Sequence, residues 1–413
     1  MKAVIFGAGN IGRSLIGYLF SRSGYEVVFV DIVDEIVKAL NERRRYRIII
    51  RDVSPETIWV ENVRAVNAGD VEKVVDEIVT ADIIATAVGA NNLPSIYETM
   101  ARGLIKRYNL GKGAVDILIC ENLRDSSKIF REGLLKFLPE DYPFDSMVGL
   151  VETCIGKMVP LMSEEEKKSD ILMVVAEAYD KIIADAKAFK RGIPKVEGII
   201  PKENITAYVD QKIFVHNMGH AITAYLGFIT DSKMKYIWEA ISNPYIYEAV
   251  KRAMWESGES LILEYPKEFN RENMGEYIED LIRRFNNKAL GDTIYRVGRD
   301  LPRKLSRNDR LIGALLFDIN HSIHPVYTSM GTAAAFLFRG RDESGNLYPS
   351  DDLFAKEIYP HGIDFILKEI CRLDFTRERE AVDLIKNSYQ LIAEEPERWF
   401  TKIKFNDVSA HLP

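Results

Sequence analysis

The stretch FGAGNIG near the amino terminus constrains this chain more than any other. It places Gly7, Gly9 and Gly12 in G-x-G-x-x-G spacing, directly after the apolar run KAVIF (2–6) and at the head of a stretch with helical periodicity, NIGRSLIGYLFSRSG. Glycine-rich turns are common, and a strand before and a helix behind are what give the spacing meaning. In that context Gly7 permits a tight turn, Gly9 lets a diphosphate approach the backbone, and Gly12 allows helix and strand to pack closely. Ala8, Asn10 and Ile11 lie between the glycines, where a first helical turn offers N–H groups and a partial positive charge to an anion. Asp31 ends the second apolar run, EVVFV (26–30), 19 residues after Gly12. A carboxylate there accepts hydrogen bonds from both ribose hydroxyls and repels a 2′-phosphate, so the pattern predicts NAD over NADP, with a flavin as the minor alternative.

Two further runs of strand length, DIIATAV (82–88) and DILIC (116–120), are continuously apolar, as befits strands buried on both faces of a parallel sheet. Their alternation with helical stretches such as VEKVVDEIV predicts βαβ units and a doubly wound, Rossmann-type sheet. The 413 residues are too many for one core. Composition changes at residues 186–204, where AKAFKRGIPKVEGIIPKEN carries Gly192, Pro194, Gly198 and Pro201. This reads as the connection between a dinucleotide-binding domain, 1–195, and a mostly α-helical substrate and catalytic domain, 196–413. One helix is expected over ITAYVDQKIFVHNMGHAITAYL, with Gly227 closing it as a C′ glycine.

A hydrophobic content of 47% with 28% charged residues is that of a soluble globular protein, and a net charge of −7 argues against a general nucleic-acid partner. No apolar run approaches the ~18 residues that would span a bilayer, and the polar Asn10 and Arg13 interrupt any signal-peptide pattern at the start. Cys120, Cys154 and Cys371 show no CxxC spacing, which fits a reducing cytoplasm and offers neither a disulfide framework nor a cysteine zinc site. A cytoplasmic location is expected, and a monomer is compatible with the sequence.

The segment KIFVHNMGH brings an amine, an amide and an imidazole together in apolar company. Lys212, Asn217 and His220 are spaced i, i+5 and i+8, which at ~100° per residue puts them near 0°, 140° and 80° on a helical wheel. Oxidising an alcohol requires a hydride acceptor, a base for the hydroxyl proton, and a donor that stabilises alkoxide character. Lys212 suits the base once burial or neighbouring cations lower its pKa, Asn217 can donate an amide N–H to the reacting oxygen, and His220 can orient the substrate. Asn122, ending the run ICEN at the carboxyl end of a strand, offers a second amide. A structural helix with a snorkelling lysine, a satisfied core histidine and an edge asparagine fits the same spacing. His216 and His220 are i, i+4, but HNMGH lacks the glutamate of the zinc-protease motif. His321 and His324 form an isolated pair, so no metal site is expected.

Taken together, FGAGNIGR (6–13), TAVG (86–89), CEN (120–122), K-x4-N-x2-H (212–220) with GHAITAYLG (219–227), and RVGRDLPRKLSRNDRLI (296–312) resemble the polyol-specific long-chain dehydrogenases, the mannitol dehydrogenase family. The resemblance spans most of the chain and weakens after about residue 340. It implies metal-independent hydride transfer between NAD(H) and a sugar, sugar phosphate or polyol. By position, Lys212 matches the general base, Asn122 and Asn217 the amides on the reacting oxygen, and His220 a substrate-site histidine. Arg296 and Lys304 match cationic polyol-binding positions, and Val88 and Gly89 fall in the cofactor site. The helix around Lys212 would then form one wall of an active site facing the nicotinamide. One departure leaves the substrate open: where the family has V-D-R-I-x-P, this chain has IGKMVP, with Gly156 and Lys157.

The segment RVGRDLPRKLSRNDR sets Arg296, Arg299, Arg303, Lys304, Arg307 and Arg310 against Asp300 and Asp309. It reads either as a solvated basic surface or as a pocket for a phosphate or carboxylate, with Arg299 and Arg303 as the extra ligands. A phosphorylated polyol is the first expectation; a free polyol or a hexuronate are the alternatives within the family. A non-catalytic NAD-binding sensor would have to hold Lys212, Asn217 and His220 together by chance.

Overall fold

The computed structural model describes residues 1–402 apart from Val53, Leu161 and Ser163. The backbone separates into two compact units, Met1–Val209 and Asp210–Pro413.

The first unit carries strands β1 (Lys2–Phe6), β2 (Glu26–Asp31), β3 (Arg45–Ile50), β4 (Glu56–Glu61), β5 (Val63–Asn67), β6 (Ile83–Thr86), β7 (Val115–Ile119), β8 (Val148–Cys154), β9 (Val174–Ala176), β10 (Ile182–Asp185) and β11 (Ile199–Lys202). Eight of them form one sheet in the order β11-β10-β8-β7-β6-β1-β2-β5. From β5 across to β8 all pairings are parallel, with Val4 opposite Val28 on one side of β1 and opposite Ile84 on the other. Read outward from the centre, this is the 3-2-1-4-5-6 strand order of a dinucleotide-binding sheet, whose topological switch lies between β1 and β6. The continuous apolar runs follow from burial on both faces. Ala3, Ile5, Val27 and Phe29 pack to one side, and Val4, Phe6, Val28 and Val30 to the other.

Two features differ from expectation. The hairpin β3–β4 is joined by β9 into a separate three-stranded sheet, a pairing that residues far apart in the chain supply. The stretch expected to connect the domains contributes β11, which pairs in parallel with β10 (Ile182 opposite Ile199). The sheet edge thus extends into it, and the first unit reaches Val209. Glycines and prolines there mark turns around a short edge strand, where proline is tolerated.

The second unit is helical. A π-helical turn, Lys212–Asn217, leads into Met218–Thr230, and Pro244–Glu264, Arg271–Phe285, Ile312–Asn320, Val326–Phe336 and Arg379–Ala393 are its other long helices. Side chains of Asn243 and Asn270 cap the second and third of these, each accepting from backbone N–H groups of the first turn. Gly227 does not close its helix, which continues to Thr230; a Cβ at Gly227 would meet that of Ala240 at 2.7 Å, so glycine here serves close helix packing. Cys120, Cys154 and Cys371 are buried and outside any disulfide among the described residues, and no helix among these residues is long and apolar enough to cross a membrane.

Glu256 on Pro244–Glu264 closes the amino end of Val326–Phe336 by accepting from the N–H groups of Tyr327 and Thr328 and the hydroxyl of Thr328, at 2.8, 2.9 and 2.8 Å. Burial pushes its carboxyl up to about 7, against those bonds and the nearby His324. Asp318, bonded to Ser257, is likewise held well above the usual carboxylate range by burial, with Glu256 adding to it. Because the folded value of Glu256 lies above the unfolded one of about 4.3, its proton stabilises the fold fully at low pH. That stabilisation is lost as pH rises through 7, by at most roughly 4 kcal/mol. In Glu256→Gln the melting temperature should therefore fall less between about pH 5 and pH 8 than in the unmodified protein. Identical slopes in the two proteins would mean that Glu256 does not titrate in that window.

Candidate active site

In the first unit the expected cofactor residues gather at the carboxyl ends of β1, β2 and β6. Gly7 has φ +98°, and a Cβ there would meet the carbonyl oxygen of Ala87 at 2.5 Å; a Cβ on Gly12 would meet that of Gly7 at 2.0 Å. Only glycine satisfies both contacts. At Gly9 a Cβ would find nothing within 4 Å, and Gly9 and Asn10 are exposed, with Ile11 half-buried and Ala8 buried. A cradle closed behind and open in front, at the start of a helix, suits a diphosphate. Asp31 holds the loop: Oδ2 accepts from Ala8 N at 2.7 Å and Oδ1 from Val33 N at 3.0 Å. A carboxylate offers about four acceptor positions, so capacity for a ribose remains.

Val88 and Gly89 follow β6. Val88 N donates to Glu121 Oε1 at 3.1 Å and Thr86 Oγ1 to Glu121 Oε2 at 2.6 Å, so Glu121 ties the loop after β6 to the end of β7. Burial raises the Glu121 carboxyl, opposed by these bonds. Glu121 is not among the residues expected from sequence, although it stands in CEN beside Asn122, which is exposed. At the departure from the family pattern, Lys157 is 9% exposed and its Nζ donates to the carbonyl of Tyr179 at 2.5 Å.

In the second unit Lys212, Asn217 and His220 are all half-buried. The turn that carries Lys212 and Asn217, just before His220, is not α-helical: Met218 N–H bonds to the carbonyl of Ile213, five residues back. In a π turn, residues i and i+5 sit about one turn apart, which sets Lys212 and Asn217 above one another more closely than the regular helical wheel allows. Phe214 packs on Phe317, with ring centres 5.0 Å apart. His216 is 4% exposed and held far below its ordinary pKa by burial, with Arg284, His220 and Lys212 adding repulsion, so it is neutral. Its ring centre is 6.1 Å from that of His220, and among the described residues no three His, Cys, Asp or Glu side chains converge as metal ligands.

His220 stacks on Phe285 (4.6 Å, 7° between planes), and its Nε2 lies 3.1 Å from Asp292 Oδ2, at an angle to the ring N–H direction. Burial lowers its pKa; Asp292 opposes this, while Arg296 and Lys304 reinforce it. Arg296 grips Asp292 with both prongs, Nε to Oδ1 and Nη2 to Oδ2, each at 2.5 Å. Burial works against ionisation of Asp292, yet Arg296 and His220 outweigh it and hold the carboxyl below its usual range. Lys304 is 4% exposed, donates to the carbonyl of Val297, and is pushed far below the ordinary lysine value by burial and by Arg310 and Arg303. His220 and Arg296 thus meet at Asp292, a residue missed in the sequence although its spacing to Arg296 is i, i+4.

The remaining cations of the basic segment are matched elsewhere. Arg299 lies over the rings of Tyr295 and Tyr348, at 5.7 and 5.1 Å. Arg303 bonds Asp300 at 2.5 Å and Asp309 at 3.2 Å, Arg307 takes both oxygens of Glu378, and Arg310 bonds Asp309 at 2.7 Å.

Residues 1–198 match the model of the mannitol dehydrogenase Rossmann domain, and residues 204–392 match that of the mannitol dehydrogenase C-terminal domain. The chain belongs to the mannitol dehydrogenase family. It is 36% identical over 398 residues to mannitol-1-phosphate 5-dehydrogenase of Geobacillus stearothermophilus, covering 94% of this chain and 99% of that protein. The enzyme of the same name from Brevibacillus brevis is 36% identical over 340 residues, 82% of this chain and 86% of the relative. Among solved structures, Pseudomonas fluorescens mannitol 2-dehydrogenase in ternary complex with NAD and D-mannitol superposes with a TM-score of 0.77 at 18% identity, covering 97% of this chain and 94% of that one. Substrate-free D-sorbitol dehydrogenase gives the same figures: TM-score 0.77, 18% identity, and 97% and 94% coverage. At that identity the likeness concerns the fold.

Proposed function

We propose that the chain is an NAD-dependent oxidoreductase interconverting D-mannitol 1-phosphate and D-fructose 6-phosphate without a metal. The observation that carries this reading is 36% identity along 94% of the chain to a mannitol-1-phosphate 5-dehydrogenase, together with a lysine, an asparagine and a histidine on one π-turned helix. NAD, when bound, supplies the nicotinamide that takes up the hydride from the carbinol carbon. The chain's residues handle the rest. The neutral amine of Lys212 removes the hydroxyl proton, Asn217 and Asn122 donate amide N–H groups to the oxygen as it becomes a carbonyl, and His220, Arg296 and Lys304 hold the neighbouring hydroxyls. Arg299 and Arg303 are the residues for the phosphate. Arg303 would exchange one of its carboxylate partners for it.

The surplus of cations in the basic segment no longer argues for a phosphate by itself, because Asp292, Asp300, Asp309 and Glu378 meet most of it. The phosphate reading rests on the relatives. Following NADH oxidation with fructose 6-phosphate, fructose, tagaturonate and fructuronate tests it directly. Fructose 6-phosphate should be preferred over fructose by ~10²-fold or more in kcat/KM, as two charge-assisted contacts would give. Equal use of fructose would remove the phosphate, and preference for a hexuronate would give the cations a carboxylate instead.

Two further outcomes are expected. Oxidation should rise with pH along a limb that reports a lysine below its free value of ~10.4, and Lys212→Ala should lose ~10²-fold or more in turnover while still binding NADH. Turnover near normal in that variant would make the helix a scaffold. NAD should be strongly preferred over NADP, and Asp31→Ala should narrow the gap. Equal efficiency with both cofactors in the unmodified protein would remove Asp31 from the ribose.

A further inference from the structure

Asp292 serves two side chains at once. Its carboxylate is 5% exposed; Arg296 donates to both oxygens at 2.5 Å, and His220 Nε2 stands 3.1 Å from Oδ2. The groups of other elements that face the His220 ring are Asp292, Arg296 and Lys304, together with Phe285 stacked on it, and His216 lies one turn back on its own helix.

We propose that Asp292 is a positioning residue of the substrate site: it fixes His220 as the neutral imidazole with its proton on Nε2, so that Nδ1 accepts a hydrogen bond from a substrate hydroxyl, and it orients Arg296 to donate to an oxygen of the same substrate. This rests on the reading of His220 and Arg296 as substrate residues.

The tautomer follows from electrostatics. With Nε2 unprotonated, a nitrogen lone pair would face a carboxylate at 3.1 Å, which is repulsive at any angle, whereas Nε2–H facing it is attractive. A doubly protonated ring is opposed by burial and by the cations Arg296 and Lys304. Nε2 itself is buried, while the side chain keeps 12% exposure, so the accessible edge of the ring lies away from Asp292. Arg296 commits Nε and Nη2 to the carboxylate, and its Nη1 group still has donors to offer. An acceptor on His220 beside a donor on Arg296 matches the hydroxyls of a polyhydroxy chain, each of which both gives and takes a hydrogen bond. A carbonyl or ether oxygen opposite His220 would leave Nδ1 without a proton to accept.

Long-range proton–nitrogen correlation spectra of protein labelled with ¹⁵N-histidine read the tautomer without substrate, with His220→Gln identifying the signal. His220 should appear neutral and protonated on Nε2 near pH 7. In Asp292→Asn, which keeps the shape and removes the charge, that preference should weaken or invert. KM for the sugar substrate should rise about tenfold to a hundredfold, with kcat and NADH affinity much less changed, and Asp292→Glu should recover part of the loss. Nδ1–H or imidazolium in the unmodified protein overturns the inference whether or not any variant folds. An unchanged tautomer and KM in Asp292→Asn would overturn it too. Because the spectrum needs no turnover, an Nε2–H tautomer in a protein that turns over no polyol or ketose would count against the proposed function and not against the tautomer.

Discussion

The bond from Met218 N–H to the carbonyl of Ile213 sets the geometry of the helix that carries Lys212, Asn217 and His220. It closes a turn one residue wider than an α-helix, so every side chain beyond it is rotated by about 100° relative to a regular continuation. In Met218–Thr230, ten residues are then buried, and His220 is one of three that are not. An α-helical turn in its place would carry His220 round toward the packed interior and bring a core residue to its position. The wide turn thus reconciles two demands on one helix: a nearly all-round apolar surface, and a polar line formed by Lys212, Asn217 and His220.

Charge in the second unit follows a related logic. Six cations within fifteen residues look like a surplus when counted along the chain. In space, Arg307 is answered by Glu378, 71 positions away, and Arg296 by Asp292, just outside the counted stretch. Long guanidinium side chains reach partners that a contiguous window does not contain, so local charge excess says little about whether a site is electrically open.

The first unit was the more legible half. Its parallel strands are buried on both faces, and that leaves a continuous apolar signature in KAVIF and EVVFV; the glycines at 7 and 12 are forced by contacts of 2.5 and 2.0 Å that no other residue survives. The three-stranded sheet and the edge strand β11 were not legible, because β9 and β11 are three and four residues long and owe their existence to partners rather than to pattern. In the second unit, residue types were easier to read than geometry. Lys212, Asn217 and His220 could be picked out by chemistry, but a wheel of fixed pitch has no place for a π turn. Gly227 carried the residue type of a cap and the burial of a packing contact. Asp292 shows most plainly what was missed: a carboxylate becomes important only through what it touches, and neither His220 nor its stacking on Phe285 is written near it in the chain.

The pairing of Asp292 with Arg296 also bears on how this sequence can drift. Loss of either partner leaves an uncompensated charge in a poorly hydrated place, a change that commonly costs 3–5 kcal/mol, whereas replacing both together by apolar groups can be nearly neutral for stability. Single substitutions at either position therefore lie in a deep fitness valley, and the low-cost route out passes through a double change that also strips His220 of its orienting carboxylate. The two positions are locked to one another by stability and to the histidine by chemistry, so descendants of this chain should explore new substrates through residues around the triad while the triad itself is inherited whole.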